Sequence, residues 1–212
     1  MINISNREAR EILISVVAIS LALALGQVGG IFGVADNLEF LPVLAAFFLV
    51  ALGSGFILHE MAHKFTAIHY GHLAEFRMWT KGLAFMFLLA LFSPLIFIAP
   101  GAVYIGGGMK QITKRENGII SLAGPATNVV IAVLGLTLLA LVGPIPVGYG
   151  GIELWSALAL INVFLALFNL LPVYPLDGSK VLAWSKPVYF GFALLVVVLY
   201  LMLSGIIGML LI

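Results

Sequence analysis

His59-Glu60-Met61-Ala62-His63 sets two imidazoles four positions apart, with a carboxylate beside the first. On a helix, residues at that spacing share a face, so both rings can reach one point. Two neutral imidazoles aimed at a common point suit a metal ion, and Glu60, about 100° further round the axis, can take a proton from water that the metal activates. The metal's own charge favours the neutral rings and the ionised carboxylate that this requires. With four His and seven Glu in 212 residues, chance placement gives about 0.002 such patterns. The bland alternative is two interfacial His at a helix end, with Glu60 reaching for water. It leaves three polar groups in an apolar run without a partner, which is costly.

A catalytic zinc has three protein ligands and one open position. Cys is absent, so the third ligand must be His, Asp or Glu. His69, His72, Glu75, Glu153 and Asp177 are the available donors. His69, His72 and Glu75 follow the helix in a polar segment, where they read as interfacial groups. Asp177 lies in Leu171-Pro172-Val173-Tyr174-Pro175-Leu176-Asp177-Gly178, where two prolines interrupt the helix and glycine permits an unusual turn. A lone Asp inside a membrane is a functional hypothesis by default, against the plain reading of a solvated turn. Asn169 can hold a developing oxyanion or position a substrate backbone, or simply bridge two helices. Asn128 and Asn162 read as interhelical hydrogen bonds.

These residues need elements to hold them, and composition decides which kind. The chain is 63% hydrophobic and 9% charged, with a mean hydropathy of +1.20. Ordinary soluble domains are roughly 45–50% apolar and about 25% charged. Nineteen charged residues (10 Lys and Arg, 9 Asp and Glu) cannot cover a 22.6 kDa globule. A soluble enzyme is excluded, and so is disorder. A net charge of +1 gives no footprint for nucleic acid. Continuous rather than alternating apolar runs indicate a helical membrane protein.

Five stretches suit spanning helices: Ile12–Val34, Leu41–Leu58 with its extension past His59, Ile119–Val142, Leu154–Leu171 and Val188–Ile212. The first continues to Phe32, so it reads as an anchor rather than a signal peptide. Arg7 and Arg10 precede it, whereas the loop from Ala35 to Phe40 carries Asp36 and Glu39 and no basic residue. The positive-inside rule then puts the N-terminus in the cytoplasm. Leu83–Pro100 is long enough to cross but is interrupted at Ser93-Pro94, with basic residues on both sides. A re-entrant hairpin keeps all ten Lys and Arg cytoplasmic, and it returns Asp177 to the side of His59 and His63. Glu153 then falls on the opposite face. The chain reads as one membrane domain, residues 1–212, without an extramembrane domain.

His59-Glu60-x-x-His63 in a membrane helix, Gly124-Pro125-x-x-Asn128 and Asn169-Leu-Leu-Pro-x-x-Pro-Leu-Asp177-Gly178 together resemble the site-2 protease family of intramembrane zinc metalloproteases. The likeness runs from about Leu41 to Lys180. It implies one zinc held by His59, His63 and Asp177, with Glu60 as general base and Asn169 on the substrate or transition state. It also implies cleavage of transmembrane protein substrates toward the cytoplasmic side of the bilayer. A strand pair near the site is expected at Glu75–Trp79 and Gly101–Ile105, with Leu83–Pro100 inserted between them. Such an edge can hold an unwound substrate by strand addition. The rival class is a divalent-metal transporter, since His and Asp in membrane helices also line ion paths.

Overall fold

The computed structural model describes residues 4–93, 100–106 and 111–210, with side chains up to residue 205. Helix α1 (Asn6–Gln27) starts where Ser5 accepts the Glu8 N–H at 3.1 Å, satisfying one of the orphan donors of the first turn. It ends earlier than the expected Ile12–Val34. The chain takes a left-handed turn at Gly29 (φ +91°) and restarts as α2 (Gly30–Asn37). A 3-10 turn (Leu38–Phe40), α3 (Leu41–Phe48) and a π-helical turn (Leu49–Gly53) lead into α4 (Ser54–His69). Helix α4 carries His59, Glu60 and His63.

Strand β1 (Leu73–Met78) pairs antiparallel with β2 (Gly101–Gly106), from Leu73 opposite Gly106 to Met78 opposite Gly101. The expected strands are there, with β1 displaced two residues towards α4. Helix α5 (Thr80–Phe92) stands between them and packs along α1 through Met86 and Ala90. Both ends of the insertion meet at the ribbon: the Trp79 N–H donates to the Pro100 carbonyl at 2.9 Å. The return of the expected Leu83–Pro100 hairpin falls on residues 94–99, outside the described residues.

Helix α1 closes the outer edge of β1. Glu8 Oε1 accepts from the Phe76 N–H and Glu11 Oε2 from the Met78 N–H, both at 3.0 Å. Carboxylates one helical turn apart thus meet every second N–H of a strand. The other Glu8 oxygen pairs with Lys64 of α4, and both side chains are 1% exposed. Helix α1, the ribbon and α4 are therefore tied at one buried point. Only the β2 edge remains, and it faces α4.

Helix α6 (Lys114–Val142) opens with a capping box between Thr113 and Glu116. It packs on α7 (Leu154–Asn169), which leads through a loop with a cis Tyr174–Pro175 peptide to α8 (Asp177–Trp184) and α9 (Lys186–Leu210). One core joins α1, α3, α4 and α5, around Ile19, Leu44, Phe56 and Met86. A second joins α6, α7 and α9, around Ala132, Ala159, Val163 and Val196. Outward-facing side chains are strongly apolar, among them Leu134, Leu194 and Leu201.

Among the described residues four helical stretches are long and apolar enough to cross a membrane: Asn6–Gln27, Gly30–His69, Lys114–Val142 and Lys186–Gly205. The expected span Leu154–Leu171 is a helix of 16 residues, or roughly 24 Å. It begins at Glu153 and ends before Pro172, which has no N–H to continue the ladder. At its start Glu153 accepts from Trp155 at 2.9 Å, from Ser156 and from Ile145 at 3.0 Å. Burial works against its charge, but the Ile145, Ser156 and Trp155 donors outweigh burial and hold the carboxyl below the usual range. A lowered carboxylate stabilises above its unfolded pKa and loses that contribution as pH falls through the folded value. Glu153→Gln is thus expected to lower the melting temperature at pH 7 and to converge on wild type as acid protonates the carboxylate, in paired thermal melts.

Candidate metal centre

The α4 spacing does what it promised: His59 and His63 lie on one face, their rings edge to face with centroids 4.6 Å apart. Their Nε2 atoms lie 3.0 Å from each other. Asp177 Oδ2 completes the triangle, 3.4 Å from His59 Nε2 and 3.1 Å from His63 Nε2. Among the described residues this is the one group of His, Asp and Glu able to hold a metal, and all three members are buried.

The hydrogen bonds behind the rings fix what faces forward. His63 Nδ1 lies 2.7 Å from the Ile120 carbonyl. A carbonyl only accepts, so Nδ1 carries a proton and, in the neutral ring, Nε2 carries the lone pair. His59 Nδ1 meets Asn128 Oδ1 at 2.6 Å, giving the same tautomer. Two ring nitrogens and a carboxylate oxygen at mutual contact call for a cation between them, a proton or a metal ion. A tetrahedral zinc with bonds of about 2.0–2.1 Å separates its ligands by roughly 3.3 Å, which matches this triangle. Outer partners of this kind set ring orientation and ligand basicity. Asp177 Oδ1 likewise takes a contact from Lys180 Nζ at 3.4 Å. The donor set fits zinc.

Two glycines allow the close approach. A Cβ on Gly124 would lie 2.5 Å from His63 Nε2 and 2.6 Å from His59 Nε2. One turn earlier, α6 offers the Ile120 carbonyl, close to where Pro125 interrupts the helical ladder at Ser121. A Cβ on Gly178 would lie 2.0 Å from the Leu170 carbonyl oxygen, so the turn that brings in Asp177 closes only on glycine. Gly124→Ala is expected to fold and to lose most of its zinc, read as metal content per chain against wild type. Full zinc in that variant would show that the ion sits elsewhere.

Glu60 lies beside the triangle, buried, and its Oε2 accepts the Val103 N–H of β2 at 3.0 Å. The other expected residues divide. Asn169 donates to the Leu165 carbonyl at 3.0 Å, within its own helix. The alternative ligands stand apart from the triangle. His69 is exposed against Tyr70, and His72 is buried 3.6 Å from Glu116. Glu75 bonds Ser5 and Arg77, and Glu153 caps α7. Asn128 touches a ring of the triangle, which the sequence reading missed. The signal available was its place four residues after Gly124, on the face that Gly124 turns to the rings.

The family model described as peptidase family M50 matches residues 143–185, covering Asn169 and Asp177. MJ0611 of Methanocaldococcus jannaschii, named provisionally as a zinc metalloprotease, is 39% identical over 202 residues, 93% of this chain and 96% of that protein. Rip2 of Mycolicibacterium smegmatis, under the same provisional name, is 34% identical over 74% of this chain and 66% of its own length. YwhC of Bacillus subtilis, again so named, is 24% identical over 69% of this chain and 73% of its own. No solved structure matches the chain. The transporter reading finds no support here, because the family and these relatives carry the names of peptidases and metalloproteases. By its similarity to MJ0611 over nearly the whole of both chains, and by a donor triangle that suits zinc, this chain belongs to peptidase family M50, the site-2 protease family, and is a zinc-dependent protease.

Proposed function

We propose that the chain is an intramembrane endopeptidase that hydrolyses peptide bonds in transmembrane protein substrates near the cytoplasmic side, in regulated intramembrane proteolysis. The observation that carries this reading is the setting of the triangle: two of its members and Glu60 belong to Gly30–His69, an apolar helical stretch of 40 residues. The enzyme is a multi-pass protein of the cell membrane, one domain over residues 1–212, with its N-terminus in the cytoplasm. Its partners are the lipid bilayer and membrane-embedded substrates, and nucleic acid is not among them. Five crossings and a re-entrant Leu83–Pro100 satisfy the charge rule, and the pairing of Met78 with Gly101 at both ends of that segment supports the return.

His59, His63 and Asp177 hold the zinc. When bound, zinc supplies Lewis acidity, which polarises a carbonyl and makes water a nucleophile near neutral pH. Glu60 takes the proton from the attacking water and hands it to the leaving amine. The C–N bond breaks as the water oxygen bonds to carbon, and the amine leaves neutral. Asn169 steadies the substrate or the oxyanion. The β2 edge on either side of the Val103 N–H that Glu60 holds receives the unwound substrate segment by strand addition. That unwinding is required because a peptide bond within a helix is shielded by its own hydrogen bonds.

The reading is tested in liposomes holding the full chain. A single-span substrate in the same bilayer and a soluble peptide of the same scissile sequence are offered together. The expected result is chelator-sensitive hydrolysis of the embedded substrate, with the soluble peptide cut far more slowly. Equal rates on both would overturn the intramembrane assignment.

A further inference from the structure

Asn162 has no part in the proposed hydrolysis, yet it is fully buried (0% exposed), with both Nδ2 hydrogens and its Oδ1 hydrogen-bonded. Its two Nδ2 donors go to the Leu158 carbonyl at 2.9 Å and to the Ala51 carbonyl at 3.2 Å. Carbonyls only accept, so the amide has one orientation, with Oδ1 on the opposite side. There it accepts Asn128 Nδ2 at 2.9 Å, a group that also donates to the Gly55 carbonyl at 3.3 Å. Asn128 is thereby turned with Oδ1 towards His59 Nδ1, at 2.6 Å. Direction passes from backbone carbonyls, through two amides, to the ring. An isolated asparagine can flip; flipping either of these would set N–H against N–H and oxygen against oxygen.

Two otherwise unexplained features of the chain serve the same relay. The Ala51 carbonyl lies in the π-helical turn Leu49–Gly53, where the ladder leaves α register and a carbonyl can take an outside donor. At Gly55, a Cβ would stand 2.2 Å from Asn162 Oδ1, so a larger residue would displace the amide. Helices α4, α6 and α7 all contribute, which makes the relay a joint of the fold as well as a support for the ring.

We infer that Asn162 is a positioning residue for the metal centre: through Asn128 it holds His59 as the Nδ1–H tautomer with Nε2 aimed at the ion. The inference rests on the proposed role of His59 as a zinc ligand. Asn128 is the partner in contact with the ring, and Asn162, together with the Gly55 carbonyl, denies Asn128 its other orientation.

The test is zinc affinity by chelator competition on the full chain in detergent, for wild type, Asn128→Leu, Asn162→Leu, the double variant and His59→Ala. Each single asparagine variant is expected to bind zinc 10–100-fold more weakly, the range for an outer-shell partner. The double variant is expected to bind no more weakly than Asn128→Leu, because both act on one ring. Wild-type affinity in Asn162→Leu overturns the inference, and so does a double variant that multiplies the two losses, the mark of two independent structural effects. If His59→Ala binds zinc like wild type, it is the ligand reading that fails. Nitrogen-15 NMR of histidine-labelled wild type needs no variant to fold except to assign the His59 signal. A proton on Nδ1 of zinc-loaded His59 is expected, and coordination through Nδ1 overturns the inference.

Discussion

Asp177→Asn is expected to cut zinc affinity by more than 100-fold and to abolish cleavage at ambient zinc. The substitution keeps the shape of the side chain and removes its charge. Outer-shell partners are worth about 10–100-fold in affinity, and a first ligand carrying the only negative charge in the triangle is worth more. Without an ion, Asp177 Oδ2 lies 3.1 and 3.4 Å from the two Nε2 atoms, within ion-pair reach of a protonated ring, so the amide gives up a charged partner in the zinc-free protein as well. Wild type gains stability with added zinc, about 2.7 kcal/mol at a hundredfold excess over Kd. The variant is therefore expected to melt at or below the zinc-free wild type and to respond little to zinc, in thermal melts with and without the metal. A variant that still gained stability from zinc as wild type does would remove Asp177 from the ligand set.

Glu60→Gln is expected to separate metal binding from chemistry. Glu60 is outside the donor triangle, so zinc content stays at one ion per chain. In the proposed mechanism its carboxylate is the base beside the site, and the amide cannot accept a proton from water. The loss expected for a general acid and base is about 100- to 10,000-fold in kcat, or roughly 3–5 kcal/mol of barrier. The Val103 N–H at 3.0 Å keeps a partner, since the amide oxygen of glutamine can accept it, so ribbon geometry is preserved. Metal analysis together with single-turnover rates reads both halves. A variant that cut at wild-type rate would leave another group as the base.

The metal centre was the most legible part of the sequence, for physical reasons. His59 and His63 are linked by helical periodicity alone, and Asp177 stood out because charge is scarce in an apolar chain. What sequence could not supply is the direction of a side chain across an interface. Asn128 and Asn169 look alike on paper, each an Asn in a membrane helix. Asn128 meets His59 because Gly124 brings α6 against α4, whereas Asn169 bonds back to Leu165 in its own helix. Hydropathy blurred the element ends. It ran Ile12–Val34 across the turn at Gly29, since glycine scarcely alters an apolar average but readily breaks a helix. It also could not tell that α7 stops at 16 residues. The strand pair lay within two residues of its expected place, while its closure by Glu8 and Glu11 was invisible, because nothing in spacing links α1 to β1.

The central claim is that these residues cut a peptide bond inside the bilayer. The most direct measurement is the mass of the products formed from a single-span substrate in liposomes with zinc-loaded enzyme, wild type beside Glu60→Gln. The expected result is one new pair of termini within the membrane-spanning segment, near its cytoplasmic end, formed by wild type alone. Termini outside the membrane-spanning segment, or the same products at the same rate from Glu60→Gln, would contradict it.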